Sequence, residues 1–174
     1  MNDETELYLQ RAENELVTAQ MLFDVSNNPT LQKEQFKLEK DFTFYSPVIS
    51  HSYYSIFYSA KAILIKTGIK TEAPEVHRKT LEAFEKYLVS TGKLDIELLK
   101  IYQKMVVRAD ALLGIFSIEK RKRGEFTYLK LPQANKEPAQ ESLDHASFFF
   151  KNINKILRSI PNPKSQPKSF LTLI

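Results

Sequence analysis

The stretch Ser50 to Gly68, SHSYYSIFYSAKAILIKTG, constrains the fold more than any other part of the chain. Its apolar and aromatic residues (Tyr53, Tyr54, Ile56, Phe57, Tyr58, Ala60, Ala62, Ile63, Leu64, Ile65) go nearly all the way round a helix. A surface helix shows one apolar stripe, whereas a helix apolar on every side belongs at the centre of a bundle or in the seam of a dimer. The interleaved hydroxyls, His51 and Lys61 give that helix an unusual polar load. Such groups must find partners or line a cleft.

The segments around it read as further helices. Leu9, Ala12, Leu16, Ala19 and Phe23 recur at three- and four-residue spacing, predicting a first helix from Asp3 to Asn27 that Asn28-Pro29 stops. Residues 30–45 are polar and then aromatic, a short helix and a loop lying over the core. The central helix is expected over Pro47 to Thr67, with Ser46 as its N-cap. A third, Pro74 to Thr91, buries Val76, Leu81, Phe84 and Leu88. A fourth runs from Asp95 to Arg123, long enough that Gly114 can mark a kink. The last, Pro138 to Ile160, repeats Ala139, Leu143, Ala146, Phe150, Ile153 and Leu157 at near-heptad spacing. Gly68, Gly92 and Gly124 fall where helical patterns stop, as left-handed caps do. No alternating strand pattern and no glycine-rich loop interrupts them. The expected fold is all-α, an antiparallel bundle of four or five helices over residues 1–160. Residues 161–174 form an extended tail, PNPKSQPKS followed by the apolar FLTLI, which docks on this subunit, docks on a neighbour, or frays.

Composition narrows the chemistry. A chain of 174 residues can bury a single core without staples. With no cysteine there is no disulfide framework, thiol nucleophile or Cys-ligated metal, which fits a reducing cytoplasm. No run reaches the length of apolar residues that a membrane span needs. The net charge of +4 mildly favours nucleic acid as a partner. No two histidines have the spacing of a metal pair, so neither a metal nor another cofactor is expected.

Several residues then carry candidate chemistry, each with a structural alternative. Arg108 and Asp110 lie in an apolar run on the long helix. They form either a phosphate-contacting arginine with its orienting carboxylate or an interhelical ion pair. Residues two apart do not face each other, so their partners must come from other helices or a second subunit. His77, beside Arg78 and Lys79 at a helix start, suits an anion site or an exposed capping position. His51, one turn before Ser55, suits a cleft or a satisfied core position, and His145 is expected to face solvent. Lys120, Arg121, Lys122 and Arg123 complement a helix C-terminus. With Phe126 and Tyr128 they also offer cations and stacking surfaces for single-stranded RNA.

Taken in order, these features resemble the HEPN superfamily of small helical bundles. The amphipathic first helix is followed by the serine- and tyrosine-rich SHSYYSIFYSAKAIL. His77 follows in PEVHRKTLEAF, then Arg108-Ala109-Asp110 on the long helix, and SLDHASFFFKNINKIL closes the pattern. A homodimer is expected because the all-round apolar second helix and the long stripe of the last helix exceed one small core. The resemblance implies a protein that binds nucleotide or RNA, for which Tyr54, Lys61, Arg108, Asp110, Lys120, Arg121, Arg123 and Tyr128 are the candidate residues. It also implies a minimal nucleotidyltransferase as partner in a toxin–antitoxin-like module. Ribonucleases of the superfamily carry an arginine followed after four to six residues by a histidine, acting without metal across the dimer. Here Arg108 is followed by ADALLGIFS, and Arg123 by a tyrosine, Tyr128, at the histidine spacing. With a pKa near 10, tyrosine is a poor general base at neutral pH. The reading is therefore a non-catalytic binding module. The alternatives are a metal-independent endoribonuclease, in which Arg108 works with His51 or His77 as base, and a scaffold.

Overall fold

In a computed structural model of the chain, residues 3–38, 42–121 and 136–159 are described, the side chains of 3 and 109–121 excepted. The elements are α1 (Asp3–Ser26), α2 (Pro29–Glu34), α3 (Tyr45–Lys66), α4 (Val76–Phe84), α5 (Ile96–Arg121) and α6 (Lys136–Ser159). Glu85–Val89 continues α4 as one π-helical turn. Among the described residues there is no strand. The protein is an all-α bundle, as its periodicity predicts. The basic run beyond Arg121, with Arg123 and Tyr128, and the tail from residue 160 lie outside the described residues.

The helix that is apolar all round takes the central place. Against α3 pack α1, α6, α5 and α4, and fourteen of its residues are buried. One of its buried hydroxyls, that of Ser55, ties it to α1. Ser55 Oγ donates to the Ala12 carbonyl of α1 at 2.8 Å, and Ser59 Oγ returns to the Ser55 carbonyl at 2.8 Å. A buried serine can approach a neighbouring backbone that closely, and its hydrogen bond cancels the desolvation cost of the pair. At the other side of the core, Phe84, Tyr102 and Phe149 join α4, α5 and α6. Their ring centroids are 5.6–5.9 Å apart, with Tyr102 edge-on to both phenylalanines. Burial pushes the Tyr102 hydroxyl pKa well up, and its Oη has no hydrogen-bond partner.

Several helix boundaries depart from the sequence reading, α6 among them, which starts at Lys136 rather than Pro138. The central helix starts at Tyr45, with Phe44 rather than Ser46 at the cap position. Phe44 is fixed there because its N–H donates to Ser26 Oγ at 2.7 Å. The buried Gln32 holds the same segment, accepting from the Phe42 N–H and donating to the Phe42 and Val25 carbonyls at 2.7–2.9 Å. The third helix starts at Val76 rather than Pro74. Glu75 has φ +61°, a left-handed backbone that ends any helix running back through it. A short helix, α2, forms with Pro29 in its first turn and Asn28 Oδ1 accepting from the Leu31 N–H at 2.9 Å. Gly68 and Gly92, with φ +84° and +71°, are the left-handed stops expected of them.

Candidate nucleic-acid interface

The charged residues fall into two groups with different partners. The first joins α5 to α6. Arg108 is half-buried, 19% exposed, against the first turns of α6. Its Nη1 donates to the Pro138 carbonyl at 3.0 Å and to Ser142 Oγ at 2.8 Å, and its Nη2 to Glu141 Oε2 at 2.7 Å. Lys104, one turn earlier on α5, pairs with the other oxygen of Glu141. The two hydrogen-bonded cations hold the Glu141 carboxyl down to about 2. Next along α6, His145 has a buried Nδ1 with no hydrogen-bond partner. Burial lowers its pKa, against the pull of Glu141. The expectation that His145 faces solvent is corrected here: one turn from Glu141, it lies against the α5–α6 contact.

The second group lies along α1 and α3. The two helices are antiparallel, so Glu15 meets His51, Arg11 meets Tyr58, and Tyr8 meets Lys61 in descending order. His51 Nδ1 donates to Glu15 Oε2 at 2.6 Å. The Arg11 guanidinium lies 5.4 Å from the Tyr8 ring and 5.9 Å from the Tyr58 ring. Lys61 Nζ lies 4.7 Å above the Tyr8 ring and donates to the Thr71 carbonyl at 3.1 Å. Tyr54 stacks on Tyr58 with centroids 6.1 Å apart and is 39% exposed. Burial first, and Glu15 next, raise the Tyr58 pKa, which keeps that hydroxyl a neutral donor. From α4, His77 stacks on Phe57 at 4.1 Å and shares a 2.8 Å hydrogen bond with the Tyr53 hydroxyl. It packs against α3 rather than standing at an exposed cap. Its neighbour Arg78 is engaged by Glu75 and Glu82 at 2.7 and 2.6 Å.

The structure therefore separates the predicted site residues. Tyr54, Lys61 and His51 share the α1–α3 face, with His77 at its edge. Arg108 bonds none of them, being held by α6. The Asp110, Lys120 and Arg121 side chains, and all of Arg123 and Tyr128, fall outside what is described. Sequence reasoning missed Arg11, Tyr8 and Glu15 on α1, and Glu141 and Ser142 on α6. The signal for the first set is the spacing of Tyr8, Arg11 and Glu15. They flank the apolar stripe at i, i+3 and i+7, one helix edge carrying a ring, a cation and an anion. Among the described residues no three His, Asp or Glu side chains converge as metal ligands do, and no helix is long and apolar enough to cross a membrane.

No family model matches the chain. Distant relatives do. The "UPF0332 protein" of Thermotoga maritima is 28% identical over 112 residues, covering 64% of this chain and 72% of that protein. "Putative toxin MJ0605" of Methanocaldococcus jannaschii is 24% identical over 160 residues, 92% of this chain and 93% of that protein. "Putative toxin MJ0142" of the same organism is 40% identical over 55 residues, 32% and 35% of the two chains. Toxin names thus attach to proteins similar to this one, in one case along nearly its whole length.

Proposed function

We propose that the chain is a HEPN-like, non-catalytic nucleotide- or RNA-binding protein. In this reading it forms a homodimer in the cytoplasm, paired with a nucleotidyltransferase in a toxin–antitoxin-like module. The observation that carries the binding reading is the α1–α3 face. Arg11 and Lys61 meet tyrosine rings rather than carboxylates. A cation held by a ring keeps its full charge and its capacity for phosphate, and the half-exposed Tyr54 supplies a stacking plane beside it. Stacking rings interleaved with cations are the equipment for single-stranded nucleic acid. The relatives' names support the module. Leu7, Val17 and Met21, exposed along one side of α1, support the homodimer.

The nuclease alternative lacks geometric support. It needs an imidazole working with Arg108. Yet Arg108 is bonded to Glu141, Ser142 and Pro138, and neither His51 nor His77 bonds it. Two assays test the reading together. In the first, a fluorescent single-stranded oligoribonucleotide is titrated with wild-type protein and with Arg11→Ala; weaker binding by the variant is expected, and equal binding would remove this face from the site. In the second, end-labelled cellular RNA is incubated with the protein in EDTA. Intact RNA is expected, and discrete cleavage lost in Arg108→Ala would establish the nuclease instead. Sedimentation equilibrium at micromolar concentration checks the dimer, which a monomer would contradict.

A further inference from the structure

A shallow groove opens at the end of the bundle where α5 begins and α6 finishes. Leu94 and Leu98 form its floor, Ile156 and Phe148 its α6 side, and Asp95 and Glu97 one edge. Leu94 and Leu98 are buried, while Phe148 stands 50% exposed between them and solvent. On α6, Phe148, Asn152 and Ile156 follow one another at four-residue steps. The apolar track therefore climbs straight down the helix from the point at which the chain leaves it, just past Ser159.

We propose that this groove is the seat of residues 160–174 of the same chain. Three properties of the segment match it. The first is chemistry: Phe170, Leu171, Leu173 and Ile174 form an apolar cluster, preceded by Lys164 and Lys168 with no carboxylate side chain anywhere in the segment. Asp95 at the groove's edge complements those lysines, while Glu97 is paired with Lys100 and Lys93 shares the edge. The second is reach. Ten residues, 160–169, separate α6 from the cluster, and three of them are proline. An extended proline-rich linker of that length spans up to about 31 Å. Phe148 lies only about 12 Å back along α6 from Ile156, at 1.5 Å per residue. The third is length, since five extended residues cover about 16 Å, enough to follow the track from end to end. Tethering favours this chain over a freely diffusing second copy, because a ten-residue connection presents the segment to its own groove at up to roughly millimolar effective concentration, well above micromolar protein.

Because the chain has no cysteine, one engineered thiol can be labelled without ambiguity. A nitroxide on Ser169→Cys in the full chain is expected to broaden away most of the methyl signal of Leu94, Leu98 and Ile156. Adding Phe170→Asp and Leu173→Asp should restore it. Undiminished methyl signals in the spin-labelled protein overturn the proposal, as does broadening that survives the two aspartates. A mixture of spin-labelled, isotopically silent chains with unlabelled, methyl-labelled ones distinguishes the occupants. Broadening in that mixture means a second copy fills the groove and overturns docking in the same chain; its absence there, with broadening in the single-species sample, supports it.

Discussion

The α5–α6 contact and the α1–α3 face both carry cations on half-buried helix surfaces, yet their chemistry is opposite. At the α5–α6 contact Arg108 and Lys104 share a carboxylate: they take one oxygen each of Glu141, and Ser142 and Pro138 complete the set. Such a group is a fastener. Its charges are neutralised and its donors directed inward, so a phosphate arriving there would have to displace Glu141. At α1–α3 the anion Glu15 pairs with a histidine. The cations Arg11 and Lys61 are left against rings, which hold them in place without cancelling their charge. The difference teaches that a charge in an apolar sequence is no guide to a site until its partner is known.

The largest test of this contrast is Arg108→Ala. Losing three hydrogen bonds from a guanidinium that is mostly shielded should cost about 2–3 kcal/mol of stability. Urea unfolding followed by circular dichroism would show it, while RNA affinity stays within twofold. A stable variant that no longer binds RNA would reverse the roles of the two regions. On the other face, Tyr54→Ala removes a half-exposed ring at small structural cost. It should weaken RNA binding by about 1–2 kcal/mol, or roughly tenfold, with the unfolding midpoint nearly unchanged. Titration of a labelled oligonucleotide alongside thermal unfolding would separate those outcomes.

The contrast also explains what was legible beforehand. The central place of α3 followed from Ala62, Ile63, Leu64 and Ile65 facing all ways, because burial depends on the residue's own chemistry. Gly68 and Gly92 marked helix ends for the same reason, since a positive φ is a local requirement. The partners were not legible. Arg108 and Glu141 are thirty-three positions apart, and only the packing of α5 on α6 joins them. His77 stacks on Phe57, and the left-handed Glu75 that sets where α4 begins was not legible either. Arg11 was hidden differently: it lies on the rim of an ordinary amphipathic stripe and becomes notable only when Tyr58 is brought opposite.

Proton linkage sharpens the fastener half. The folded-state pKa of Glu141 is lowered, to about 2. Its contribution to stability is therefore fully present above the unfolded carboxyl value near 4.3 and disappears as pH falls through the folded value. The carboxylate is 39% exposed, so solvent screening limits the effect to about 1 kcal/mol. Comparing Glu141→Gln with wild type by urea midpoint at pH 7 and at pH 2.5 should show a deficit at pH 7 that narrows in acid. His145 works in the same direction over a higher window. Its pKa is lowered by burial, so stability is lost as pH falls below about 6.5. A deficit of Glu141→Gln independent of pH would mean that the carboxylate acts by packing alone.

The smallest effect discriminates most finely, because it counts charges rather than contacts. If Arg11 and Lys61 meet phosphates, each contributes about 0.7 to the slope of log affinity against log salt for a single strand. Arg11→Gln or Lys61→Gln should each flatten that slope by roughly this amount. Lys104→Gln, on a cation already neutralised by Glu141, should leave it unchanged, although all three variants lose one formal charge. A net-charge effect acting at a distance would flatten all three slopes alike, so anisotropy titrations over a salt series separate a true interface from a merely basic protein. Equal slopes for Arg11→Gln and Lys104→Gln would dissolve the distinction between the two regions. Unequal slopes would locate the bound phosphates on α1 and α3 without any structure of a complex.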